Sequence, residues 1–166
     1  MKRNLVLAIC LILVASSVFA QAGLIVAAPD IAGGGCDIYD NGGLVIIYCV
    51  HDNTPGATGC RFMLQFEGTT MTYLGEFSPF QAVVGNSHSG ISINYGECLA
   101  SPIHVLTISY FGGNSPPCSM VKILNDPTAT PSGIYVTDCT SPVPNRLSAP
   151  GVATFINSDG SCRGGG

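Results

Sequence analysis

The sequence predicts an all-β protein, an antiparallel sandwich of about 8–10 short strands held together by disulfides. Three observations lead to this prediction. Short runs rich in β-branched and aromatic residues recur along the chain, and 21 glycines and 11 prolines separate them as turns. No window after the N-terminal region repeats apolar residues at the helical spacing i, i+3, i+4, i+7. Eight cysteines in 166 residues supply material for disulfides.

The N-terminal residues 1–20 have the pattern of a cleaved signal peptide. Lys2 and Arg3 form a positive start, an apolar run follows over 5–14, and small residues precede an expected cleavage after Ala20. The apolar segment is shorter than the roughly 20 residues that a membrane-spanning helix needs. Cys10 lies inside the apolar run behind an isoleucine, which argues against a lipid anchor. We therefore expect an extracytoplasmic protein, secreted or periplasmic, without an integral membrane segment after cleavage.

Residues 21–156 are expected to form one β-sandwich domain, and residues 157–166 a flexible, Gly-rich C-terminal tail. The run at 44–50 is apolar on both faces, which predicts a central strand buried on both sides. The run at 60–66 alternates apolar and polar residues, as a half-buried strand does. The expected strands cover residues 24–27, 44–50, 60–66, 71–74, 81–84, 91–95, 103–110, 120–124, 134–137 and 152–156.

The charge of the expected mature chain excludes several partners. All ten acidic residues lie after residue 20, where only four basic residues remain, so the net charge is −6. Nucleic acid is excluded as a partner because phosphate binding needs clustered lysines and arginines. Adhesion to an anionic membrane surface is disfavoured for the same reason. A surface this poor in charge also suits a subunit that buries part of itself against a partner.

Seven cysteines remain after cleavage, and export favours disulfides over metal ligation because no C-x-x-C pair is present. The strand-flanking positions of Cys98 and Cys118 favour a bond between them across a Pro/Gly-rich turn, and Cys49 with Cys60 is a second candidate pair. An odd number leaves at least one thiol free or bonded to another chain. The remaining candidates are Cys36, Cys139 and Cys162.

Three groups of residues are candidate sites, but none of them predicts catalysis, a metal or a cofactor. Ser87 and His88 lie in a G-N-S-H-S-G segment that departs from the G-x-S-x-G nucleophile motif, because Ser89 replaces the last glycine and no helix follows. The histidines His51, His88 and His104 lack the spacing of zinc ligands, and His104 is expected on the face of Leu106 and Ile108. An acidic loop does not match a calcium-binding loop; its members are Asp30, Asp37, Asp40 and Asn41.

The segment 72–112 reads TYLGEFSPFQAVVGNSHSGISINYGECLASPIHVLTISYFG. It resembles a group of short exported bacterial proteins without known activity, in which similar YLG-E-x-SPFQ and SPIHVLTI stretches recur. The resemblance implies an exported β-sandwich and carries no functional residues. The broader likeness is to immunoglobulin-like and fibronectin-like sandwiches, which share an architecture rather than a function.

These observations predict a non-enzymatic, exported β-sandwich with an interaction or surface-structural role and an unknown protein or cell-surface partner. Two alternatives remain. The chain could be a self-assembling subunit, a homo-oligomer in which the strand at 24–27 adds to a neighbour's sheet edge or the odd cysteine forms an intermolecular disulfide. It could also be a secreted hydrolase or metal-dependent enzyme that uses His51, His88 or His104.

Overall fold

The structure, a computed structural model, describes residues 22–35 and 37–162. These residues form an all-β sandwich of two sheets, which confirms the predicted fold class. The described strands are β1 (Leu24–Ala28), β2 (Asp37–Ile38), β3 (Gly43–Asp52), β4 (Ala57–Glu67), β5 (Thr72–Phe77), β6 (Ala82–Asn86), β7 (Gly90–Leu99), β8 (Ile103–Gly112), β9 (Ser119–Leu124), β10 (Tyr135–Asp138), β11 (Arg146–Ser148) and β12 (Ala153–Ile156).

Each of the ten expected strands is present, and two short strands, β2 and β11, had not been predicted. The missed strands contain two and three residues, too few for an alternation of apolar and polar side chains to be visible in the sequence. Both lie at the ends of their sheet, where they extend strands that were predicted.

The smaller sheet has four antiparallel strands in the order β1-β3-β8-β5. β3 pairs along nearly its whole length with β8, and β1 and β5 form the two edges. The segment at 24–27 therefore pairs with β3 of its own chain, with Val26 opposite Val50. In this structure the segment is thus an edge strand paired within its own chain, and strand addition to a neighbouring molecule stays a hypothesis.

The larger sheet is organised around β4, which is long enough to pair with three strands. Its first half lies between β7 and β10, and its second half pairs with β9. β6 pairs with β7, β11 pairs with β10, and β12 connects β9 to β2. The β12–β2 contact is parallel, whereas the other strand pairs that the structure describes are antiparallel.

The core lies between the two sheets and contains the inward half of each long strand. Ile47 and Ile108 from the smaller sheet and Phe62 and Ile93 from the larger sheet are almost completely buried in it. The alternation of the 60–66 run is confirmed, because Cys60, Phe62 and Leu64 are buried and Arg61 and Met63 are not. Burial of these apolar side chains provides the main free energy of folding.

The disulfides differ from the expected pairing. Cys98 is bonded to Cys139 and Cys118 to Cys162, so the expected Cys98–Cys118 bond is wrong. That expectation assumed that strands adjacent in sequence are adjacent in space. However, β8, which follows Cys98, crosses to the other sheet, whereas β7 and β10 both flank β4. The Cys98–Cys139 bond joins these two flanking strands over Gly56, where a Cβ would lie 2.9 Å from the Cys139 sulfur.

Cys49 and Cys60 are both free and buried, so the expected bond between them is absent. They lie on the inward faces of opposite sheets, Cys49 on β3 and Cys60 on β4. Burial raises the pKa of both thiols, that of Cys60 to about 12. The seventh cysteine, Cys36, lies outside the described residues, as do residues 1–21 and 163–166, and with them the predicted signal peptide.

Residues 157–162, predicted as the start of a flexible tail, make specific contacts with the sandwich. The Asn157 side chain donates to the carbonyl oxygens of Asp40 and Ser115 at 2.9 and 2.7 Å. The Cys118–Cys162 bond then ties residue 162 to the start of β9. Within the described residues, no helix has the length and apolar character to cross a membrane.

Candidate interaction surface

The outer face of the smaller sheet is apolar and partly exposed. At one end, Leu44 on β3 lies opposite Phe111 on β8, which in turn lies opposite Thr72 on β5. The Leu44 and Phe111 side chains are 68% and 58% exposed. Cross-strand neighbours on one face of a sheet contact each other, so these two side chains form a continuous apolar area rather than isolated exposed residues.

The same face continues across the middle of the sheet. Tyr48 on β3 lies opposite Thr107 on β8, and Thr107 lies opposite Phe77 on the edge strand β5. The Phe77 side chain is 68% exposed, and Ile46, half-buried, lies between the rows of Leu44 and Tyr48. We refer to the outward side chains Leu44, Ile46, Tyr48, Phe77 and Phe111 as the apolar face.

The apolar face contains no charged side chain. Outward positions next to it on β8 and β5 are occupied by Thr107, Ser109, Thr72 and Gly75. An expanse of exposed apolar side chains with a polar surround is typical of an interaction site, since monomers seldom leave one uncovered. The sequence predicted instead that 44–50 would be buried on both faces, which is wrong for the outer face.

His104 also lies on this side of the sheet, although it was expected on the face of Leu106 and Ile108. A β-bulge in the β3–β8 pairing causes the difference: Cys49 pairs with Leu106, but the next residue, Val50, pairs with His104. His104 Nε2 lies 2.8 Å from Thr107 Oγ1, and burial lowers the pKa of the imidazole. The ring is therefore neutral near pH 7 and adds no charge beside the apolar face.

Ser87, His88 and Glu76 come together in a hydrogen-bonded group with the wrong connectivity for a hydrolase. The Ser87 hydroxyl donates to Glu76 Oε2 and lies 3.2 Å from His88 Nδ1, while His88 Nε2 lies 3.0 Å from the hydroxyl of Tyr110. In a catalytic triad the carboxylate orients the imidazole, and the imidazole takes the serine proton. Here the carboxylate binds the serine directly.

The surroundings of this group also indicate a structural role. Ser87 is fully buried, so a substrate cannot reach its hydroxyl. His88 stacks on Phe66 and packs edge-on against Tyr73, with ring centroids 5.9 and 4.7 Å apart. Glu76 also accepts the Ser87 backbone N–H. The group holds the β6–β7 turn against β5 and β8.

His51 is buried in the core and has two partners. Its Nε2 donates to the carbonyl oxygen of Ala22 at 2.8 Å, and its Nδ1 lies 3.1 Å from the hydroxyl of Tyr95. Burial lowers the pKa of His51, against the smaller opposing effect of the Ala22 hydrogen bond. The neutral ring anchors the chain that leads into β1. The three histidines thus lie in three separate places and form no shared metal site among the described residues.

The acidic loop does not have the geometry of a calcium site, because Asp40 is already saturated with donors. The buried Asp40 carboxylate accepts both the N–H and the hydroxyl of Ser115 at 2.7 and 2.6 Å. It also accepts the backbone N–H groups of Gly42, Gly113 and Asn114. Burial raises the Asp40 pKa, but these hydrogen bonds together lower it below its usual value. N–H donors occupy the positions that a cation would need.

One further group of metal-ligating residue types, Cys118, Asp159 and Cys162, is present in the described part of the chain. The two cysteines form a disulfide, so they offer no thiolate to a metal. Tyr95 and Tyr110 are buried, whereas Tyr73 is more exposed but packs on Tyr110 with ring centroids 5.7 Å apart.

Comparison with known proteins identifies the fold. No protein-family model and no curated protein matches the chain. Among solved structures, the chain is similar to a cohesin module from a family 33 glycoside hydrolase of Clostridium perfringens, with a TM-score of 0.54 and 6% identity over 84% of this chain and 99% of that one. A second similar structure is the seventh ScaB type I cohesin of Pseudobacteroides cellulosolvens, with a TM-score of 0.47, 10% identity, and coverage of 78% and 97%. The first of these similarities shows that the chain has a cohesin-like β-sandwich fold.

Proposed function

We propose that this protein is a non-enzymatic, extracytoplasmic interaction module that binds a protein partner through the apolar face. The observation that carries the proposal is the apolar face itself, which has Leu44 and Phe111 exposed at one end and Phe77 exposed further along, with no charged side chain among its members. Aromatic and aliphatic anchors without intervening charge are what the centre of a protein–protein interface requires.

Two further observations support the extracytoplasmic and non-enzymatic parts of the proposal. Two disulfides are typical of proteins that fold in an oxidising compartment, in agreement with the signal-peptide pattern of residues 1–20. The only serine–histidine–carboxylate group in the described residues buries its hydroxyl and directs the carboxylate to Ser87 instead of His88. The likeness of the fold to a cohesin module supports a role as a binding module.

The test immobilises three forms of the mature protein and compares which proteins each form captures. The captured proteins come from the extracytoplasmic fraction of the source cells. Serine replaces Phe77 and Phe111 in one form, and Val143 in the control form. Val143 is a matched control because it is 73% exposed in a loop away from the apolar face. We expect a defined protein to be retained by the wild type and V143S and lost from F77S/F111S. Equal retention by all three forms would refute the proposed surface.

A further inference from the structure

The outer face of the larger sheet contains a polar depression where β4 lies between β7 and β10. Its floor is Gly59, which is opposite Asn94 on one side and Thr137 on the other. A Cβ at Gly59 would lie 2.8 Å from the carbonyl oxygen of Ile93, so the close approach of β7 requires glycine here. A cavity of about 230 Å³ lies over this glycine.

An arginine borders the depression on the next row of side chains. Arg61 lies between Ser92 on β7 and Tyr135 on β10. Its Nε donates to the buried carboxylate of Asp126, and its Nη2 donates to Thr128 Oγ1 at 2.8 Å. These bonds fix the guanidinium group while leaving Nη1 without an acceptor among the described residues.

A second arginine reaches the same depression from β11. The Arg146 Cζ lies 3.4 Å from the centroid of the Tyr135 ring, a cation–π contact. Arg146 Nη1 and Nη2 donate to the carbonyl oxygens of Thr130 and Pro131 at 3.3 and 3.2 Å. The described ion pairs join Arg61 to Asp126 and Lys122 to Glu67, so the positive charge of Arg146 is not balanced by a carboxylate there.

Two arginines line this one depression of an acidic protein, and Arg146 supplies its unbalanced positive charge because Asp126 pairs with Arg61. The described residues contain three basic side chains, and two of them meet at this depression. Both guanidinium groups are held in place before a ligand arrives, which lowers the entropy cost of binding. Around them, Ser92, Asn94 and Thr137 contribute hydroxyl and amide groups.

We propose that the depression binds an acidic saccharide, with a sugar carboxylate held by Arg146 and Arg61. Guanidinium groups pair well with carboxylates, and small hydroxyl and amide side chains suit the hydroxyl groups of a sugar ring. The cavity is smaller than the roughly 300–1,000 Å³ of pockets for drug-sized ligands, which limits the bound portion to about one sugar unit. The site is on the opposite sheet from the apolar face, so the two proposals stand or fall separately.

Titration of the ¹⁵N-labelled mature protein with sodium glucuronate, glucose and sodium acetate tests this proposal by NMR. We expect saturable shifts with glucuronate at the amides of Ser92, Asn94 and Thr137, and much weaker effects with the other two probes. If acetate or glucose bound as tightly as glucuronate, the assignment to an acidic saccharide would be overturned. The absence of saturable shifts with glucuronate would overturn the site itself.

Three variants separate the site from a general charge effect. We expect R146Q to weaken glucuronate binding about tenfold or more through loss of a charge-assisted contact, and N94A to weaken it less. K122Q is the matched control, because it removes one positive charge from the same sheet outside the depression. Arg146 is exposed, so R146Q is expected to keep the wild-type spectrum elsewhere. Equal affinity of R146Q and wild type, or equal weakening in K122Q, would contradict the proposal.

Discussion

Cys98 is bonded to Cys139 next to Gly56, the residue before β4, so that this disulfide links the ends of β7 and β10 on either side of β4. The two cysteines are separated by 41 residues, and a loop of that size contributes about 4 kcal/mol in the chain-entropy description. We expect C98S/C139S to lower the free energy of unfolding by about 3–4 kcal/mol in urea titrations. Peptide mapping of the unreduced protein should recover the 98–139 and 118–162 pairs. A Cys98–Cys118 peptide would contradict this connectivity.

The free thiols of Cys49 and Cys60 should be unreactive in the folded protein. Both are buried between the sheets, and burial raises their pKa, so neither forms the nucleophilic thiolate at neutral pH. We expect a maleimide reagent to label neither residue under native conditions and both in denaturant. Native labelling at either position, located by mass spectrometry, would show that the core opens more readily than this packing allows.

His51 should make the protein less stable in mild acid. Its folded pKa is lowered, whereas the unfolded chain takes up a proton near pH 6.5, so the unfolded state binds more protons below that pH. The contribution of neutral His51 to the free energy of unfolding is therefore fully present above about pH 6.5. It decreases as the pH falls toward the folded pKa, by at most about 1.4 kcal/mol per pH unit. Thermal unfolding between about pH 7 and pH 5 measures the effect.

The variant H51Q should flatten this pH dependence. H104Q is the control: the pKa of His104 is also lowered, but its ring is only partly buried and contributes a smaller slope. The carboxylates with lowered pKa, such as Asp40 and Asp126, act in a separate range below about pH 4, where they become protonated. An unchanged slope in H51Q would mean that His51 is not the group responsible.

Asp40 should be required for stability rather than for binding. The Asp40 carboxylate accepts bonds from four backbone N–H groups and from the Ser115 hydroxyl, and D40N replaces it with an amide that has one acceptor oxygen. The amide NH₂ group of the variant would then face N–H groups that have lost their acceptor. We therefore expect a loss of about 2–4 kcal/mol in the free energy of unfolding. D37N, three residues earlier in β2, should change it by less than about 0.5 kcal/mol. Calcium should not raise the melting temperature of the wild type.

The sequence was sufficient to predict the sandwich because strand-forming runs and turn residues are local signals. The run at 60–66 was assigned correctly, inward and outward positions included, since its alternation is a direct record of one buried face. The short strands β2 and β11 carry no such alternation, so pattern alone cannot find them. The disulfide pairing failed because it depends on β8 crossing to the other sheet, which is long-range information.

The candidate surface was missed for a different reason. The run at 44–50 is apolar on both sides, and this pattern is shared by a strand buried on both faces and by a strand whose outer face awaits a partner. Leu44 and Phe111 are far apart in sequence and become neighbours only through the β3–β8 pairing. The polar depression depends similarly on three strands placed side by side around Gly59.

Site-specific photo-crosslinking tests the central claim, protein binding through the apolar face, most directly. Benzoylphenylalanine is placed at Phe77 in one form and at Val143 in another, two exposed positions on different surfaces. Neither substitution should change the free energy of unfolding by more than about 0.5 kcal/mol, because both side chains face solvent. The account predicts a single crosslinked protein from position 77 and none from position 143. Crosslinks of equal yield at both positions, or none at position 77, would contradict it.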